Sequence, residues 1–63
     1  MITDVTKILH AACTVGAPDY LYDRSTLLKL ELEGLVYTHS THEDFVIYRA
    51  TESGKVRFAT GAR

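Results

Sequence analysis

The stretch Ser25-Thr26-Leu27-Leu28-Lys29-Leu30-Glu31-Leu32-Glu33-Gly34-Leu35-Val36 specifies a helix, its stop and the start of a strand. The straight-chain residues from Leu27 to Glu33 lose little rotamer freedom in a helix. They run up to Gly34, the residue type that ends a helix in the left-handed conformation without a Cβ penalty. Asp23 stands where a carboxylate caps the free N–H groups, which puts Arg24, Ser25 and Thr26 in the first turn.

Working outward, Val36-Tyr37-Thr38-His39-Ser40-Thr41 and Phe45-Val46-Ile47-Tyr48 are β-branched and aromatic runs, with His42-Glu43-Asp44 as the turn between them. Together they predict a β-hairpin. Upstream, Thr3 and Asp4 mark the start of a first helix over about residues 4–14. Its apolar stripe is Val5, Ile8, Leu9 and Ala12, at i, i+3, i+4 and i+7. Cys13 beside the stripe reads as a half-buried structural thiol. Gly16 and Pro18 break this helix, since proline disfavours a helical residue before it. The aromatic Tyr20-Leu21-Tyr22 reads as a short strand pairing with the hairpin. Downstream, Thr51 caps a last short helix over about residues 52–58, with Val56 and Phe58 expected to pack back on the core. Gly54 inside it costs about 1 kcal/mol relative to alanine, making it the least secure element. Residues 60–63 read as a frayed tail.

Two motifs in this order resemble those of winged helix-turn-helix proteins. Thr26-Leu27, Leu30-Glu31 and Gly34-Leu35-Val36 are similar to a recognition helix running into the first wing strand. Tyr48-Arg49-Ala50-Thr51-Glu52-Ser53-Gly54-Lys55 is similar to the second wing strand running into a closing helix. The expected fold is therefore α+β and winged-helix-like, in one domain over residues 1–63. Its order is helix, short strand, helix, two-stranded β-hairpin wing and short C-terminal helix. The usual second helix has no room between Pro18 and Asp23, so the resemblance is to a shortened form. It implies a small phage or bacterial transcriptional regulator, cytoplasmic, with double-stranded DNA as partner and dimer formation expected. By position, DNA contacts fall to Arg24, Ser25, Thr26 and Lys29 on the helix, His39, Ser40, Thr41 and Arg49 on the hairpin, and Lys55 beyond it.

Composition limits these expectations. A 63-residue chain is near the smallest size at which a hydrophobic core suffices without staples, and the lone Cys13 cannot form an internal disulfide. No apolar run approaches the length of a signal peptide or membrane span. The formal charge is −1, whereas a protein that binds chiefly by phosphate neutralisation is normally basic. The charge is unevenly spread: residues 1–48 carry a net −4, and residues 49–63, with Arg49, Lys55, Arg57 and Arg63 against Glu52, carry +3. A basic end behind an acidic body is either an electrostatic footprint or a solubilising tail. At the wing tip, Glu43 and Asp44 would repel phosphate.

Enzyme chemistry is not expected, because no nucleophile elbow, phosphate-binding glycine loop or paired-cysteine motif is present. His39 and His42, with His10 and Cys13, are zinc-ligand types but lack the usual spacing, so neither a metal nor a cofactor is expected. The central helix raises a second possibility. At about 100° per residue its leucines, with Leu35, spread over an arc of about 200°, twice the width of one core-facing stripe. Leu28 and Leu32 are either covered within the monomer or exposed as a contact for another protein, a second copy included. In the latter case the chain is a module that engages or inhibits a host protein. The sign of the charge over the helix start and wing separates the two: positive favours DNA and negative favours a protein partner or a DNA mimic.

Overall fold

In a computed structural model, which describes residues 1–61, the elements are α1 (Val5–Cys13), β1 (Ala17–Pro18), α2 (Arg24–Leu32), β2 (Val36–Thr41), β3 (Val46–Ala50) and α3 (Glu52–Gly61). The fold is α+β, in the expected order and with a winged-helix-like topology. The sheet is antiparallel throughout, with order β1-β3-β2.

Side chains fix where each helix begins. Asp4 Oδ1 accepts from the N–H groups of Thr6 at 2.9 Å and Lys7 at 3.4 Å, so the α1 cap is Asp4 and not Thr3. A carboxylate there accepts the bonds and also faces the positive end of the helix dipole. On α2, Asp23 Oδ2 accepts from the Thr26 N–H at 3.0 Å and from its hydroxyl at 2.8 Å. The end of α2 is equally well defined. Gly34, at φ +78°, donates to the Glu31 carbonyl at 2.9 Å, and Leu35 donates to the Leu30 carbonyl at 3.0 Å. This is the Schellman arrangement, and the two leucines that bracket it are both buried in the core.

Tyr20, Leu21 and Tyr22 do not form the short strand. The strand is Ala17–Pro18, pairing Ala17 with Tyr48 and Pro18 with Ile47. Pro18 lacks an N–H, which is tolerated because β1 lies at the edge of the sheet. Its carbonyl accepts from Leu21 at 3.3 Å and Tyr22 at 3.1 Å, turning the chain into α2. Tyr22 instead forms an isolated parallel bridge with Ile2.

The hairpin keeps its first strand as expected, but Phe45 belongs to the loop and β3 starts at Val46. The His42 N–H donates to the Phe45 carbonyl at 2.8 Å, and the Phe45 ring centroid lies 4.5 Å from that of the stacked His42 ring and 5.1 Å from that of Tyr20 in a T-shaped pair. A bulge between Thr38 and Ser40 leaves His39 without a ladder partner. Such a bulge twists an edge strand and disfavours its pairing with another edge.

The core consists of Ile8, Leu9, Ala11 and Ala12 from α1, Leu27 and Leu30 from α2, and Ala17, Leu35, Val36, Tyr48 and Ala50 around the sheet. Cys13 and Phe58 pack partly against it, whereas Val5 and Val56 are exposed. Val56 therefore does not pack back as its spacing suggests, because α3 turns Gly54 and Phe58 inward instead. Gly54 is not a weak point. It is buried, and a Cβ there would collide with the Leu35 carbonyl oxygen. The missing side chain lets α3 pass close to the Leu35 carbonyl in the link between α2 and β2, which outweighs its poor helix propensity. Thr51 ties the same junction: its hydroxyl donates to the Gly34 carbonyl at 2.6 Å and accepts the Gly54 N–H at 3.1 Å. α3 continues through Thr60 and Gly61, beyond the expected end near residue 58; Ala62 and Arg63 of the expected tail lie outside the described residues.

Candidate functional site on the central helix

The five leucines from Leu27 to Leu35 divide sharply. Leu27 and Leu30 are 0% and 4% exposed and Leu35 is 5% exposed, whereas Leu28 is 43% and Leu32 90% exposed. The ambiguity in the sequence is thereby resolved: Leu32 is uncovered within the monomer, and Leu28 is partly covered but still exposed. Four residues apart, Leu28 and Leu32 lie one turn above the other on the outward face of α2. Ser25, Lys29 and Glu33 flank them, all exposed.

The residues expected to contact DNA are not gathered on that face. Arg24, Ser25 and Lys29 are open to solvent, but Thr26 is half-buried and its hydroxyl is committed to Asp23. Arg49 pairs with Tyr37, one register step from the Thr38–Tyr48 pair. Successive residues alternate across a sheet, and Tyr48 is in the core, so Arg49 lies on the other face. There its Nη2 donates to the Thr14 carbonyl at 3.0 Å, closing the end of α1. Ser40, paired with Ile47, is half-buried; Thr41 and the bulged His39 are exposed. Lys55 is on α3, where it pairs with Glu52 at 3.9 Å, the one ion pair among the described residues. Arg63, the last cation of the basic end, lies outside the described residues.

Charge over the helix start and wing is negative. From Asp19 to Ala50, the end of the wing, Arg24, Lys29 and Arg49 oppose six carboxylates, a net −3. Three of the six have internal roles. Asp19 Oδ1 accepts the Val46 N–H at 3.2 Å, Asp23 caps α2, and Glu31 Oε2 accepts the Thr38 hydroxyl at 3.1 Å. Burial, with the charges of Glu31 and then Asp19, pushes the Tyr48 hydroxyl above its ordinary pKa, opposed by Arg24 and by the Thr38 hydroxyl. Tyr48 is therefore a neutral core residue at physiological pH. Glu33, Glu43 and Asp44 remain as outward charges.

Neither the internal polar contact of Glu31 with Thr38 nor the aromatic group of Tyr20, His42 and Phe45 was readable from local pattern, because each joins residues across the turn of the hairpin or across elements. Glu33 did carry a signal, as Lys29 and Glu33 are an opposite-charge pair four residues apart. The two do not pair with each other. Among the described residues no group of three or more His, Cys, Asp and Glu is placed to hold a metal ion, and no helix is long and apolar enough to cross a membrane. One open concavity of about 550 Å³ is lined by Ile2, Lys7, His10, Tyr22 and Phe58 among others, with no residue from α2. Compared with known proteins, the chain matches no family model, no curated protein and no solved structure.

Proposed function

We propose that this chain is a non-enzymatic protein-docking module built on a shortened winged-helix scaffold, acting in the cytoplasm through the outward face of α2. The observation that carries this reading is the exposure of Leu28 and Leu32, at 43% and 90%, on the face that would otherwise present polar groups to a DNA groove. An apolar pair there is desolvated by another apolar surface, with Leu32 contributing roughly 1.5–3 kcal/mol when fully buried and the half-covered Leu28 less. The net −3 from Asp19 to Ala50 supports the same choice, since an acidic segment gains no counterion-release energy from phosphate. Affinity capture from host lysate tests it. Nuclease-resistant capture by the wild type, lost in Leu32→Glu while the circular dichroism spectrum is unchanged, is the expected result; capture retained by Leu32→Glu contradicts it.

A DNA-binding transcriptional regulator of phage or bacterial type is the second reading. The open side chains of Arg24, Ser25 and Lys29 beside the hairpin favour it. It requires duplex binding at low salt, measured by fluorescence anisotropy, that weakens on Arg24→Ala with Lys29→Ala. Absence of such binding removes it.

A further inference from the structure

We infer that the partner docking on α2 is a second copy of the chain, held as an antiparallel helix pair about a two-fold axis. The inference rests on the protein-docking reading above and names its occupant. A symmetric pair must present the same patch from both sides, with each residue meeting its counterpart's neighbour across the axis. Leu28 and Leu32 satisfy this requirement, because in an antiparallel pair centred between them Leu28 of one copy faces Leu32 of the other.

Charge supplies the stronger argument. Lys29 and Glu33 both lie on one flank of the leucine pair, at about 80° and 120° around the helix from it for 100° per residue. A two-fold axis perpendicular to the plane of the two helices brings like flanks together. Lys29 then meets Glu33 of the second copy, and Glu33 meets its Lys29, with an axial offset of about 3 Å at 1.5 Å per residue. Both charges are exposed and neither takes part in an ion pair among the described residues. Of the remaining carboxylates, Asp19 and Asp23 are tied internally and Glu43 and Asp44 stand at the far end of the hairpin; Glu31, about 80° round on the opposite flank, meets its own counterpart across the axis, where the Thr38 hydroxyl already donates to it. Edge-to-edge pairing of β2 is the competing way to join two copies, and the bulge at His39 works against it. Two nine-residue helices cover less than the roughly 800 Å² per partner of a stable complex, so the dimer dissociates on dilution.

Sedimentation equilibrium on the full chain, across protein concentration, tests the pairing by charge reversal. Wild type is expected to self-associate. Lys29→Glu and Glu33→Lys, each facing its own like charge, are expected to weaken self-association at least tenfold. Mixed one to one, the two variants are expected to recover it as a heterodimer, and Leu32→Glu is expected to abolish it with the fold intact by circular dichroism. Recovery on mixing is the supporting result, since no effect within a single helix produces it. A wild type that stays monomeric at millimolar concentration overturns the inference; if its nuclease-resistant capture of a host protein still depends on Leu32, the docking reading survives with a foreign occupant. Self-association that charge reversal leaves unchanged overturns the inference as well.

Discussion

The inner and outer faces of α2 carry the same side chain to opposite ends. Leu27 and Leu30 lie within the core, while Leu28 and Leu32, one and two positions along, lie in water. Identical chemistry on a helix of nine residues thus separates the side chains that fold the chain from those the fold leaves exposed. Hydrophobicity alone does not distinguish the two pairs. The helix phase does, and that phase is set at each end: by Asp23 at the start, and by Gly34 with the Leu30–Leu35 bond at the stop.

The sharpest way to break this comparison is to exchange the faces. Leu27→Ala removes a side chain of 0% exposure and is expected to cost about 2–5 kcal/mol, enough to unfold much of the population of so small a domain. Leu32→Ala is expected to change monomer stability by no more than about 0.5 kcal/mol in urea denaturation at high dilution. Equal losses at the two positions would abolish the distinction. Gly54→Ala comes next: its Cβ meets the Leu35 carbonyl, so despite the better helix propensity of alanine it is expected to destabilise by about 1–3 kcal/mol. A gain in melting temperature would mean that the junction yields. Thr51→Ala removes the cap of α3 and its tie to Gly34, with an expected loss of about 1 kcal/mol or more in the same assay.

The smallest effect concerns pH. The pKa of Tyr48 is raised on folding, chiefly by burial, so the folded state holds its proton more tightly than the unfolded state. The associated stability is fully present below the unfolded value near about pH 10 and declines as pH rises through the folded value. Tyr48→Phe is expected to flatten that alkaline decline in denaturation curves taken between neutral pH and pH 11; an unaltered slope would place the loss elsewhere.

Much of the fold was legible because local chemistry and tertiary structure agree at particular residues. Asp23, Gly34 and Thr51 each bound an element through a side chain or a backbone conformation that propensity already favours. Where they disagree, the sequence misleads. β1 has two residues and no pattern to read, and Pro18 serves a strand only because the edge of the sheet needs no N–H from it. Gly54 looked like a defect in a helix because its value lies in a carbonyl oxygen brought close by another element. The candidate docking face was half legible: the width of the leucine arc announced a surplus, but exposure depends on how α1 and the sheet fill the space beneath α2. The candidates carried over by resemblance scatter across four elements, since likeness of motif does not fix which face a side chain takes.

The central claim is that the inner leucines of α2 stabilise the monomer and the outer leucines join two copies. Urea unfolding of wild type and Leu32→Glu over a hundredfold range of protein concentration tests both halves together, because association through the native state raises the midpoint by mass action. The wild-type midpoint is expected to rise with concentration, while that of Leu32→Glu stays constant and equal to the wild-type value at high dilution. A wild-type midpoint independent of concentration, or a Leu32→Glu midpoint well below it under all conditions, would contradict the account.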